Sequence, residues 1–329
     1  MVNTMETGPV LTGHQPIRAR IMLWTVAWLA AIAVAGPAGA SAMDATHLRL
    51  TLSDRWAVVA VRLGDDPRAF RFIVDTAAGA TVVDEAVASQ LGLPRAHEGP
   101  ARIQGASGKA QTYASATVAM LHLGHLDIPA VDVVVLDMAP FASRGQHYDG
   151  ILGRDVLGRF GMVFDVPGGD LGLIASDAPP AAMDDCLEAP PGVRPSGFGV
   201  FDATLPSGRG ARIVIDSGAA STFLNWSAAA AIGIDRKSDR LRPGIAGTAG
   251  TAGVDPMART QTWFADVPGL TIAGWTTQSF EANISRLPLF AGFGLEDRPA
   301  VIVGINLLRE RAFYLAPGAR RLCFARASR

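Results

Sequence analysis

Along this chain apolar and polar residues alternate in short runs bounded by Gly, Pro and Asp, a period of two that predicts β-strands rather than helices. Leu48, Leu50 and Leu52 alternate with polar neighbours, and Trp56 to Val61 follows as a more continuously apolar run. Gly64-Asp65-Asp66-Pro67 predicts a turn, and Phe70 to Val74 a returning strand that ends on Asp75. Ala86 to Leu91 predicts a short helix, stopped by Gly92 and Pro94. Arg102 to Gly108 reads as a hairpin with a flexible tip, followed by strands from Ser115 to Leu123 and from Val131 to Leu136. Ile151-Leu152-Gly153 precedes a short helix from Asp155 to Gly158 and a hairpin from Gly161 to Leu173 that turns at Pro167-Gly168-Gly169. Residues 177–196 hold Pro179-Pro180, Pro190-Pro191 and Pro195, the composition of a stiffened linker. Beyond it, Phe198 to Leu205 and Ala211 to Ile215 predict a hairpin that ends on Asp216, and Arg311 to Phe324 a closing hairpin around Pro317-Gly318.

The second half repeats the first. Moving 141 positions along the chain carries Arg71 onto Arg212, Asp75 onto Asp216, Thr76 onto Ser217, Ala78 onto Ala219 and Thr81 onto Thr222. Leu91-Gly92-Leu93 falls on Ile232-Gly233-Ile234 without a gap. Gly150-Ile151-Leu152-Gly153 matches Val301-Ile302-Val303-Gly304 at an offset of 151, so the second half carries about ten extra loop residues. Gly105 lies 30 residues after Asp75 and Gly247 lies 31 after Asp216, which makes Ile245 to Gly253 a second loop of the same kind. One period of this length reads as a duplicated half-domain rather than a solenoid.

Composition narrows the class. The 329 residues suit two lobes with ample core, and the abundance of Gly and Pro fits a turn-rich β protein. Residues 1–20 are polar with Arg18 and Arg20 at the end, Ile21 to Ala35 is apolar, and Ala38 to Ala42 are small: the layout of a secretory leader. The apolar run is about 15 residues, short of the ~20 that span a bilayer, so residues 1–42 read as a cleaved signal peptide with a membrane anchor as the alternative. The protein is then exported, periplasmic or secreted. The net charge is −1, and losing Arg18, Arg20 and Glu6 leaves −2. There is no basic field, which argues against nucleic-acid binding. In an oxidising compartment Cys186 and Cys323 either pair, closing 137 residues and contributing ~3–5 kcal/mol in the chain-entropy picture, or stay as buried thiols.

The chemistry points to the two aspartates. An apolar, β-branched strand that ends on a carboxylate and then turns through a hydroxyl and small residues is costly to bury, and building it twice implies that the two carboxylates serve each other. Other chemistries lack their patterns. His122 and His125 flank a Leu-Gly turn with no companion ligands, so no metal site is expected. Ser221 has no Gly-x-Ser-x-Gly elbow. The Gly-rich loop after Ile245 lacks the Lys-Ser/Thr of a phosphate loop. Trp263 and Trp275 read as packing residues, and Asp149 and Asp155 as structural hydrogen-bonding groups.

These residues resemble retropepsin-like aspartic proteases over about 43–329. The first half is most similar to bacterial members, through Phe72-Ile73-Val74-Asp75-Thr76, the Gly105-to-Gly108 loop and Asp149-Gly150-Ile151-Leu152-Gly153. The resemblance implies an all-β, bilobal pepsin/retropepsin-like fold: two barrel-like lobes with short helices, related by a pseudo-twofold axis. The lobes would span 43–176 and 197–329, joined by the 177–196 linker. It further implies a monomeric aspartic endopeptidase without cofactor that acts on peptide or protein substrates. In that chemistry one carboxyl activates water and the other protonates the scissile carbonyl. Two carboxylates about 3 Å apart cannot both ionise, as is established for aspartic proteases. Asp75 and Asp216 would form this pair. Thr76 and Ser217 would brace the loops, Gly218 would bring an N–H to the carboxylates, and Gly153 and Gly304 would allow close packing beneath them. Gly105, Ala106, Ser107, Gly108, Gly247 and Thr248 would form flaps over the substrate.

The chain departs from the family pattern at Ala77, where Gly is usual. With φ > 0 there, Ala adds strain of about 1 kcal/mol; with negative φ the methyl simply fits. Ala78 and Ala219 stand where pepsins commonly carry a hydroxyl, which implies a pH optimum nearer weakly acid than strongly acid. A peptide-binding relative that keeps the cleft without turnover is the alternative function, and a swapped dimer the alternative assembly.

Overall fold

The computed structural model describes residues 45–53, 55–96, 99–104, 110–190, 199–249 and 257–326. The expected leader 1–42, the loop tip from Gly105 to Gly108 and residues 191–196 of the expected linker lie outside them. The fold is all-β, with a few short helices.

Period-two patterning explains the first sheet. Its seven strands run in the order Thr51–Ser53, Trp56–Leu63, Phe70–Val74, Gly150–Leu152, Val82–Asp84, Leu126–Leu136 and Ser115–Leu123. The last pairs back onto Trp56–Leu63 through Arg62↔His122 and Leu63↔Leu121, closing six strands into a barrel. Val59, Val61, Leu63, Phe72 and Val74 fill its core. The alternate residues Trp56, Val58, Ile73 and Ile151 pack into a separate cluster with Phe141 and Tyr148. Both faces of these strands are therefore buried, which is why their sequence is nearly continuous in apolar residues.

The second sheet has nine strands, in the order Arg242–Ala249, Met257–Val267, Phe280–Ile284, Phe223–Leu224, Ala300–Val303, Gly210–Ile215, Val200–Thr204, Thr271–Ile272 and Trp275–Thr276. Its central strands divide their faces in the same way: Phe201, Ile213 and Ile215 on one side, Val200, Val214 and Ile302 on the other. Each sheet contains a parallel pairing under an aspartate. Phe72 to Val74 lies beside Gly150 to Leu152, and Arg212 to Ile215 beside Ala300 to Val303.

A third sheet of six strands joins the halves: Ala45–Arg49, Asp170–Ile174, Gly161–Asp165, Phe313–Leu315, Arg321–Ala325 and Met183–Glu188. Its centre pairs Val163 with Tyr314, and Phe164 stacks on Phe313 at 5.1 Å. Met183–Glu188 falls within the stretch expected as linker, yet it is a strand. Backbone pairing along the edge of Arg321–Ala325 satisfies groups that composition alone reads as loop, with a bulge between Asp184 and Leu187. Cys186 of this strand is bonded to the fully buried Cys323.

The helices are one or two turns long, and two have side-chain caps. Asp84 accepts from Ala86 N and Val87 N at the start of Glu85–Gln90. Asn225 Oδ1 accepts from Ala228 N at the start of Trp226–Ala231 and also from Ala300 N, while its amide donates to Leu295 O and Arg298 O. Among the described residues no helix is long and apolar enough to cross a membrane.

Candidate functional site

Each aspartate ends a strand at a point where its neighbour's backbone captures it. Asp75 N donates to Leu152 O (3.1 Å) and Asp216 N to Val303 O (3.0 Å). One residue past each neighbouring strand stands a glycine with no room for a side chain. A Cβ on Gly153 would lie 2.6 Å from the backbone of Ala80, and one on Gly304 would lie 2.5 Å from Ser221 O. The residue after each glycine ties the other side of the aspartate turn: Arg154 N donates to Ala78 O (2.9 Å) and Ile305 N to Ala219 O (2.8 Å). Beneath, Thr81 Oγ1 donates to Asp155 Oδ1 and Thr222 Oγ1 to Asn306 Oδ1, each at 2.8 Å. These are the hydrogen-bonding roles expected of Asp155 and its counterpart. Asp149 likewise accepts from Arg71 N at 2.7 Å.

The two turns meet. Ser217 Oγ accepts from Thr76 N (3.1 Å) and donates to Val74 O (2.7 Å). Thr76 Oγ1 accepts from Ser217 N (3.0 Å) and donates to Ile215 O (2.9 Å). Each hydroxyl therefore bonds the backbone of the opposite half, and both residues are buried. These four bonds bring Asp75, Thr76, Asp216, Ser217 and Gly218 together. Gly218 lies against the opposite carboxyl: a Cβ there would be 2.2 Å from Asp75 Cγ and Oδ2.

The carboxyls are held alike. Asp75 Oδ1 accepts from Ala77 N and Ala78 N, each at 2.8 Å. Asp216 Oδ1 accepts from Gly218 N and Ala219 N, each at 3.0 Å. Both donors are backbone groups, so Ala78 and Ala219 serve without hydroxyls. Neither Ala77 nor Gly218 is among the described residues with positive φ. The methyl of Ala77 therefore carries no left-handed strain. Glycine at 218 is required by the proximity of Asp75 and not by its own backbone.

Electrostatically the two differ. Asp216 is only 9% exposed, and burial together with the charge of Asp75 pushes its proton affinity well above the ordinary carboxylate range. Burial also raises Asp75, but the Ala77 and Ala78 N–H groups and the nearby Arg154 guanidinium oppose it. Arg154 is half-buried, and its Nη2 lies 4.0 Å from where a Cβ on Gly79 would stand. Such a pair can hold one proton between two unequal sites, which makes available both an acceptor and a donor.

Arg154 carries no motif signature. A comparison of the halves marks it, because its partner at the 151-residue offset is the buried Ile305. Trp56 also escapes a sequence reading: its indole Nε1–H donates to Gly218 O of the other half at 2.9 Å.

Of the expected flap residues, Gly105, Ala106, Ser107 and Gly108 lie outside the described residues. The strands Ala101–Gln104 and Ala110–Tyr113 that lead to them are paired, and Tyr113 packs against the Trp56 cluster. Gly247 and Thr248 sit in a paired strand rather than a loop, opposite Arg259 and Ala258. Glycine and small residues there are compatible with strand because the whole of Arg242–Ala249 finds partners in Met257–Val267. Elsewhere, His122 bonds Asp127 and Gly64 O, and His125 bonds Thr46.

A search of curated proteins finds no match to this chain. Residues 59–156 match the family model described as aspartyl protease, a span that holds the Asp75 turn, Gly153 and Arg154 but stops short of Asp216. Over that span the chain is similar to aspartyl proteases.

Proposed function

We propose that the protein is an aspartic endopeptidase whose two halves each supply one member of a catalytic pair, Asp75 and Asp216. The observation that carries this reading is the contact of Gly218 with the Asp75 carboxyl, while the N–H of the same glycine bonds Asp216. In this reading Asp75 is the base, because Arg154 and two backbone donors favour its anion. Asp216 carries the proton, because burial and the charge of Asp75 favour its neutral form. A water between them loses a proton to Asp75 as its oxygen attacks the peptide carbonyl, and Asp216 gives its proton to the carbonyl oxygen. Collapse of the resulting gem-diol returns a proton to Asp216, and the proton on Asp75 passes to the departing amine. The pair starts and ends with one proton.

We further infer that the halves descend from one duplicated unit, since the same backbone captures recur under both aspartates. The leader-like residues 1–42 and the Cys186–Cys323 bond support export to an oxidising compartment. One chain supplies both aspartates, which supports action as a monomer.

The test is cleavage of an unfolded protein or a peptide library by the purified protein, with Asp75→Asn and Asp216→Asn beside it. Loss of cleavage by at least about a thousandfold in both variants is expected. Wild type and variants with equal activity would exclude the mechanism. Peptide binding without turnover from weakly acid to neutral pH would instead favour the non-catalytic alternative.

A further inference from the structure

We propose that Trp56 is a positioning residue for the aspartate pair, acting across the boundary between the halves through the Gly218–Ala219 peptide. This rests on the catalytic reading of Asp75 and Asp216. Trp56 belongs to the first half and is 5% exposed. Tyr148 meets its ring edge-on at 5.4 Å, Phe141 lies at 6.2 Å, and the Arg55 guanidinium sits 4.9 Å above it. The ring is therefore fixed on several sides, and its one polar atom points at the other half.

The acceptor is significant. Trp56 Nε1–H donates to Gly218 O (2.9 Å). That carbonyl belongs to the same peptide unit as Ala219 N–H, which donates to Asp216 Oδ1 (3.0 Å). The residue that owns the carbonyl also touches the Asp75 carboxyl. A continuous chain thus runs from indole N–H through one peptide to Asp216. A hydrogen bond accepted by a peptide carbonyl polarises the unit and strengthens its own N–H as a donor. Trp56 therefore does two things. It pins the segment that lies against the Asp75 carboxyl and bonds Asp216, and it strengthens a donor that favours the anion of Asp216.

The charged groups around this chain are Asp75 facing Asp216, Arg154 acting on Asp75, Asp155 acting on Arg154, and Arg55 and Arg71 over the aromatic rings of the cluster. Removing the indole N–H leaves all of these in place and weakens one donor to Asp216. The form with one proton is the active one, so its upper limit is the loss of that proton. With the anion of Asp216 less favoured, the proton leaves at higher pH.

The experiment uses the full chain with Trp56→Phe and, as a shape-preserving control, 3-benzothienylalanine at position 56, which replaces the N–H by sulfur. Both are expected to lower kcat about tenfold, leave KM within about twofold, and move the alkaline limb of the pH–rate profile upward. Unchanged kcat and limbs, or a rise in KM alone, would overturn the proposal and make Trp56 a packing residue. If Trp56→Phe does not fold, the benzothienyl variant decides. A second readout does not need turnover. The Trp56 indole N–H resonance, assigned by its loss in Trp56→Phe, should shift as the aspartate pair titrates and should lose that shift in Asp216→Asn. A resonance that ignores pH in the wild type would overturn the proposal even if the protein cleaves peptides. A resonance that follows the titration in a protein without activity would uphold the positioning contact and fail only the catalytic reading.

Discussion

A methyl group has opposite consequences at the two positions that follow the aspartate–hydroxyl pairs. At 77 it is tolerated, because φ there is not positive and the N–H still reaches Asp75. At 218 it would stand 2.2 Å from the Asp75 carboxyl. Ala77→Gly is expected to keep activity within about threefold and to lose about 0.5–1 kcal/mol of stability through chain entropy. Gly218→Ala is expected to lower kcat/KM by about a hundredfold or more, since a displacement near 1 Å at a reacting group has that effect. Steady-state kinetics and denaturant melts on the two variants check both. The charge of Arg154 favours the Asp75 anion, and Arg154→Met removes it, so the acid limb of the pH–rate profile should move upward. An acid limb that stays in place would show that Arg154 does not tune the base.

At the scale of elements, strand, glycine and hydroxyl act together. Gly304 lets the Ala300–Val303 strand end directly under the Asp216 turn, and Thr222 and Asn306 link the two. Gly304→Ala would push Ser221 O from 2.5 Å and is expected to cost about 1–3 kcal/mol. Thr222→Val leaves Asn306 Oδ1 without this donor and also removes the acceptor of Gly304 N–H, a loss of about 1–3 kcal/mol. Both are read from urea unfolding, and a loss below about 0.5 kcal/mol in either would mean that the turn relaxes around the change. The elements themselves were largely legible. Strands ending on Asp75 and Asp216 follow from short, nearly continuous apolar runs and from the aspartate that stops each run. The Met183–Glu188 strand was not legible, because its pairing partner lies more than 130 residues away and its own composition is that of a linker. Gly247 and Thr248 read as loop for a different reason: small residues lower strand propensity, and the nearby partner strand overrides it.

For the molecule as a whole, the buried carboxyl pair should set the dependence of stability on pH. Asp216 holds its proton more tightly folded than unfolded. Its contribution is therefore fully present below the ordinary carboxylate range, and it is lost as pH rises through the raised folded value. Tm should fall over that interval, and Asp216→Asn should flatten the fall, giving the variant the higher Tm at neutral pH. Equal slopes in the two proteins would show that other groups control it. The Cys186–Cys323 bond ties the edge strand of the joining sheet to its neighbour over 137 residues. Cys186→Ala with Cys323→Ala should lower unfolding free energy by about 3–5 kcal/mol while leaving the β-rich circular dichroism intact. An unchanged urea midpoint would show that the sheet alone holds this edge.

From its residues alone this chain specifies its β character, the ends of the strands at Asp75 and Asp216, and the hydroxyl after each, because alternation, turn chemistry and a buried acid are local or nearly local signals. Local rules are silent on what lies across the boundary between the halves. The carboxyl that makes Gly218 obligatory, the indole of Trp56 on the Gly218 carbonyl and the choice of Cys323 as partner for Cys186 all depend on distances between residues more than a hundred positions apart. Only folding sets those distances, because burial and backbone pairing decide which distant surfaces meet.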